Sequence, residues 1–233
     1  MATNKKLVCL ANSRKHGGRC VAGIEVSSNS WIRPVSGRPG HEVSATERQY
    51  LSGVEPHLLD IVSMRLIEPK PIEFHRENWL VDSTVRWRKE GQIGWDDLCL
   101  LEESSIRLWR NGYHTKAGNN DRVPADQEGT VMESLKLIRV DGATIHVDQP
   151  WSNDARPTVR AHFHHAGSFY SLKVTDPVCE ERFRGRGIGR YSLSDSFLTI
   201  SLSEEFEGYL YKLVAAVIEC AEVEPNSRWR HPA

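Results

Sequence analysis

Short apolar runs separated by glycine, serine and asparagine set the rhythm of this chain. Lys6 to Ala11 (KLVCLA), Arg19 to Val26 (RCVAGIEV) and Ser30 to Val35 (SWIRPV) follow one another, with Gly17-Gly18 and Ser27 to Asn29 between them. Runs of this length and punctuation predict an antiparallel meander. From Leu58 to Ile67, Val62, Met64 and Leu66 share one parity and form the expected core face of a further strand. Ser44-Ala45-Thr46-Glu47 is a capping-box pattern that predicts a short helix closed by Gly53. A second short helix is expected around Asp96 to Glu103. Gly112 to Pro124 is the most linker-like stretch, which predicts two β units, residues 1–125 and 126–233.

Beyond that stretch, strand-like runs recur at Glu133 to Val140, Thr144 to Val147, Val159 to His164, Phe169 to Val174 and Phe197 to Leu202. Asp141-Gly142 lies between the first two, a strong hairpin signal. Ser203 can cap a helix whose apolar positions Phe206, Leu210, Leu213, Val214, Val217 and Ile218 fall at helical spacing. The predicted fold class is therefore mainly β: two small antiparallel barrels, each about 110 residues, with a C-terminal helix. Closure into a barrel removes exposed sheet edges, and the OB-type barrel is one such solution. No internal sequence repeat accompanies the two units.

Composition narrows the class. Of 233 residues, 39% are hydrophobic, and mean hydropathy is −0.48. That is enough apolar material for a core, and no run approaches the roughly 20 residues of a membrane helix. Met1 to Lys6 leads into mixed sequence without the apolar stretch of a secretory leader, so a soluble cytoplasmic protein is expected. The five cysteines are scattered and never spaced Cys-x-x-Cys, which predicts reduced thiols. Net charge is −1, yet Met1 to Gly40 holds seven basic residues and one acid. Arg182, Arg184, Arg186 and Arg190 form a second basic cluster, while Ser203 to Glu224 carries six glutamates against one lysine. Sign asymmetry of this kind points to a polyanion partner.

Four segments carry a family resemblance: Leu7-Val-Cys-Leu-Ala-Asn-Ser-Arg-Lys15, Gly18-Arg-Cys-Val-Ala-Gly-Ile-Glu25, Trp31-Ile-Arg-Pro-Val-Ser36 and Leu58-Leu-Asp-Ile-Val62. With Tyr170 to Pro177 and Ser201 to Lys212, they resemble the bacterial dual OB-containing domain family across roughly Lys6 to Glu222. The resemblance implies two OB-like barrels and nucleic-acid binding in prokaryotic defence or DNA processing. It brings no catalytic residue with it.

Two constellations suit a nucleic acid. The first is the loop Asn12 to Arg19, where Arg14, Lys15 and Arg19 can neutralise phosphates and Gly17-Gly18 lets backbone approach. Trp31 and Arg33 follow on the next strand, Trp31 as a stacking platform; the alternative places Trp31 in the core. The second is Arg182 to Tyr191, read as an Arg/Gly loop in which Arg184, Arg186 and Arg190 hold phosphate and Tyr191 stacks. His162 and His164 share a strand face, a geometry a metal could use, but no third ligand is legible, so no metal or other cofactor is predicted. Asp96-Asp97 and Glu102-Glu103 read as solvated helical faces rather than a catalytic cluster. Among the seven tryptophans, Trp87 is expected inward with Arg86 and Arg88 outward. The resulting expectation is a non-catalytic nucleic-acid-binding protein. Two alternatives stay open: a protein-interaction module that docks a partner enzyme, and a metal-dependent enzyme using His162 and His164.

Overall fold

The structure, a computed structural model, describes residues 2–103, 107–149, 152 and 155–223. Its first unit runs to Leu101. It holds strands β1 (Thr3–Lys15), β2 (Gly18–Glu25) and β3 (Trp31–Val35), helix α1 (Ala45–Arg48), strands β4 (Asp60–Pro69), β5 (Asn78–Val81) and β6 (Arg88–Gln92), and helix α2 (Trp95–Cys99).

Strand β1 is long enough to serve two neighbours. Thr3 to Val8 pair antiparallel with β4, and Leu7 to Lys15 pair antiparallel with β2. The register slips between Cys9 and Ala11, a bulge that curls the strand. Since β2 pairs with β3, β3 lies parallel to β5 and β5 pairs with β4, the order β1-β2-β3-β5-β4 closes on β1 as a five-stranded barrel. Val62, Met64 and Leu66 point into it as their parity predicts, with Leu7, Val21, Ile32 and Trp87. Trp87 is buried between exposed Arg86 and Arg88, also as expected. The other face of the Leu7 to Ala11 run is covered as well: Val8, Ile24 and Val26 line a small crevice with Ile93 and Leu101. Ser44 and Glu47 form the expected capping box, their backbone amides and side-chain oxygens exchanging bonds of 2.8 and 3.3 Å.

The second unit spans Glu102 to Glu222. It contains β7 (Arg122–Pro124), β8 (Leu135–Val140), β9 (Thr144–Asp148), β10 (Thr158–His165), β11 (Ser168–Val174), α3 (Pro177–Arg186), β12 (Gly189–Ser192), β13 (Ser196–Phe206) and β14 (Tyr209–Glu219). All five pairings of the first barrel recur with the same sense. β8 pairs with β13, β9 with β10, β10 with β11 and β13 with β14, all antiparallel, while β11 and β14 are parallel. Here the curled first strand is cut in two, β8 serving the fourth-strand position and β9 the second. A helix again sits between the third and fourth strands, and α3 delivers Cys179 and Phe183 to the core.

Four readings of the sequence are corrected. Residues 203–218 are not a helix. Glu207 and Gly208, at φ of 52° and 78°, make a two-residue turn that folds them into the β13–β14 hairpin. Leu213 to Ile218 is a short continuous apolar run, which a doubly covered strand and a buried helix share, and Gly208 decides between them. Asp141-Gly142 joins no hairpin, because β8 and β9 each pair elsewhere; it is the corner where the curled strand breaks. The Arg/Gly segment is no loop: Asp176 caps α3 by accepting from Val178 and Cys179 N–H at 2.9 and 3.2 Å, Pro177 opens it, and the helix persists to Arg186. Finally, the division falls at 101/102. The linker-like stretch packs on the second unit, where the buried Lys212 ammonium donates to Arg110 O at 2.8 Å and Asn111 Oδ1 at 2.9 Å.

At Gly23, β2 passes so close to β1 that an added Cβ would collide with the Val8 carbonyl oxygen. Gly23→Ala is expected to destabilise the first barrel by about 1–3 kcal/mol, measured as a lower urea midpoint.

Candidate nucleic-acid interface

In the first unit the basic residues gather at the β1–β2 turn. Arg14 and Arg19 are direct cross-strand partners, so both project from the same face, while Lys15 opposite Gly18 projects from the other. Like charges directly opposite repel, and an anion between them relieves the repulsion. Arg19 also lies 4.0 Å from Glu55, which pairs with Arg48 at 2.5 Å. His16, at φ 46°, and Gly17 form the turn itself. Trp31 is half-buried on β3 opposite Ile24, at the far end of β2 from Arg19. Five residues of strand put the two roughly 17 Å apart, so the tryptophan and the basic turn do not form one contact. Arg33 is buried, with Glu77 at 2.9 Å, each side chain only 7% exposed. That guanidinium holds β3 to the segment entering β5 and is not presented to a ligand.

In the second unit the basic cluster divides by role. Arg184 donates to Glu180 at 2.5 Å and to the Pro157 carbonyl at 2.8 Å, and Arg182 pairs with Glu219 at 2.5 Å and with Glu222. Both fasten α3 to its surroundings. Arg186 is exposed, its guanidinium 4.2 Å from the Tyr191 ring centre. The Tyr191 hydroxyl lies within donating distance of the Arg186 and Gly187 carbonyls, at 2.8 and 2.9 Å, and so closes the C-terminus of α3. Arg190 and Tyr191 are successive on β12 and face opposite sides.

Arg190 belongs to a surface that sequence reading did not assemble. Register places Arg190 opposite His146, His146 opposite Arg160, and Arg160 opposite Lys173, a row across β12, β9, β10 and β11. His162, His164 and Phe169 continue the same face, opposite in parity to the core residues Ala161, Phe163 and Tyr170. The His146 and His162 rings stack at 3.5 Å and 20°. Phe169 meets His162 edge-on at 5.7 Å and His164 at 5.2 Å, and is 37% exposed. Ser171 Oγ lies 3.0 Å from His162 Nε2, while Arg160 sits 3.7 Å from Asp121. Burial, then the charge of Arg190, holds the His146 pKa below its ordinary value; burial, then the neighbouring His146, pushes His162 down to about 4. The outward parity of His162 and His164 was legible. The partnership of Arg190, Arg160 and Lys173 was not, because it is fixed by register over 30 residues of chain.

Among the described residues, no group of three His, Cys, Asp or Glu side chains is placed to hold a metal ion, and no helix is long and apolar enough to cross a membrane. With its 1-2-3-5-4-1 strand order, parallel third and fifth strands and intervening helix, this is an OB-barrel protein. The model of the dual OB-containing domain matches residues 5–217, and the chain belongs to that family. Comparison with curated proteins and with solved structures found no match.

Two outcomes follow from these contacts. Glu77→Gln leaves the Arg33 charge buried without its counter-ion and is expected to cost about 3 kcal/mol in chemical denaturation. An unfolded histidine titrates near 6.5 and folded His162 near 4, so between these values the unfolded chain holds more protons. Stability should therefore fall as pH drops through that window, and His162→Gln should flatten this part of a thermal-melt profile.

Proposed function

We propose that this chain is a non-catalytic nucleic-acid-binding protein that holds a strand against basic, ring-bearing surfaces of its OB barrels. One observation carries the reading: the row Arg190, His146, Arg160 and Lys173 beside the His162, Phe169 and His164 rings. OB barrels take oligonucleotides on the second- and third-strand face and on the turn between the first two strands. In the second unit that face is β10 and β11. In the first unit that turn carries Arg14, Lys15 and Arg19. Arg186 and Tyr191 add a cation and a ring at the end of α3, and Trp31 offers a separate stacking surface. Arg33 and Arg184 are left out, since carboxylates hold them at 2.9 and 2.5 Å, and Arg160, buried and 3.7 Å from Asp121, supports the row from beneath rather than meeting a ligand. The setting that fits is the one the family resemblance implies, prokaryotic defence or DNA processing in the cytoplasm.

A second reading, a protein-docking module, is favoured by the β13–β14 tip, where Phe206 is 63% exposed among Glu204, Glu205 and Glu207. A nucleic-acid strand has no use for that acidic apolar tip, whereas a basic protein surface has.

Fluorescence anisotropy with short single- and double-stranded oligonucleotides separates the two. With four or five phosphate contacts, affinity should drop on the order of 10²-fold between about 50 and about 200 mM salt. Arg14→Glu with Arg19→Glu, and Arg190→Glu with Lys173→Glu, should each weaken binding about tenfold or more at low salt. Absence of binding by the unmodified chain at low salt would leave the docking reading.

A further inference from the structure

We propose that His146 and His162 form a proton-coupled phosphodiester site, one that takes up a proton as a nucleic-acid strand settles on this face. The inference rests on the nucleic-acid reading above and adds its regulation. Two imidazoles from neighbouring strands lie ring on ring at 3.5 Å, too close for both to be charged without strong repulsion. Every element packed against them contributes a charged or titratable group. Arg190 faces them from β12, Arg160 and His164 from β10, Lys173 from β11 and Asp148 from β9, while Asp121 approaches Arg160 to 3.7 Å. Asp121 is further engaged by the Thr115 hydroxyl and amide, at 2.6 and 2.8 Å. Burial and the charges of Arg190 and Arg160 oppose a proton on these rings, while Asp148 draws one toward them. A phosphate oxygen placed beside Arg190 and His146 offsets the Arg190 charge and adds to the attraction for the proton. Anion and proton then favour each other, and the coupling is reciprocal: the strand raises the proton affinity of the rings by the factor by which protonation raises affinity for the strand. Ser171 leaves the arrangement adaptable, because its hydroxyl can donate to a neutral His162 Nε2 or accept from a protonated one. Phe169 and His164, in ring contact on the same face, favour a strand with stackable bases over an isolated anion.

Binding of a short single-stranded oligonucleotide to the full chain, at fixed ionic strength, is the direct test. Affinity should slope upward as pH falls from about 7 to about 5.5, by several-fold and at most about tenfold in all, the limit that a one-unit shift of one imidazole sets. The variant carrying both His146→Gln and His162→Gln should lose that slope, whatever its affinity at the upper pH. A flat wild-type profile, or an unchanged slope in the variant, overturns the proposal. A second measurement needs no substitution: the NMR titration of the two imidazoles should shift upward by about one pH unit when the oligonucleotide is present. Inorganic phosphate should produce a smaller shift. A full shift with phosphate alone would make this a simple anion site and overturn the strand assignment. Should the chain bind no oligonucleotide at all, the nucleic-acid reading fails; the phosphate titration then still judges the pair, which stands as an anion site if the imidazoles move and falls if they do not.

Discussion

Both barrels depend on one strand being shared between two neighbours. A flat strand cannot pair with the second strand on one side and the fourth on the other while the sheet closes; it must bend, and the bend must be built into the backbone. In the first unit the bend is the register slip between Cys9 and Ala11. In the second it is the corner at 141–143, where Gly142 takes φ 73° and Ala143 is wholly buried in the core. The Ala143 carbonyl also accepts from Leu193 N–H at 2.9 Å, which fastens the corner beside β12. A bulge and a break are two solutions to the same geometric demand. They explain how two units without sequence similarity share five strand pairings of identical sense.

The curl also decides which side chains meet. Once β9 separates from β8, it lies between β10 and β12, and His146 acquires Arg160 on one side and Arg190 on the other. Had Asp141-Gly142 made a hairpin, β8 and β9 would have paired with each other and this row would not exist. In the first unit the uninterrupted strand runs on into the β1–β2 turn and sets Arg14 opposite Arg19. The candidate surfaces are consequences of closure rather than decorations added to it.

This separates what could be read from the chain from what could not. Alternation within a strand is local, so the inward set Val62, Met64 and Leu66, the buried Trp87 and the shared face of His162 and His164 were all legible. Turn chemistry was legible only where one signal stood alone. Asp141-Gly142 is a strong hairpin dipeptide, yet the partners of β8 and β9 are chosen by closure of the whole barrel. Glu207-Gly208 is a weaker turn dipeptide, yet it folds a hairpin because β8 and β11 wait on either side to cover both strands. The Arg/Gly segment misled for another reason: a glycine inside a helix costs only about 1 kcal/mol, less than the Asp176 cap and the burial of Phe183 contribute.

Charge was the least transparent property, because a basic residue in sequence does not announce its counter-ion. Glu180 is one helical turn before Arg184, and Glu77 enters the strand beside Arg33, so both arginines are matched within the fold. Elsewhere bases meet one another or an imidazole across a strand pair: Arg14 faces Arg19, and Arg190 faces His146. Juxtapositions of that kind oppose folding slightly; closure sets the positions that meet, but not the residues that fill them. On the proposed function, an anion that settles at either place relieves the repulsion, which gives these pairs a purpose that the stability of the empty protein does not supply.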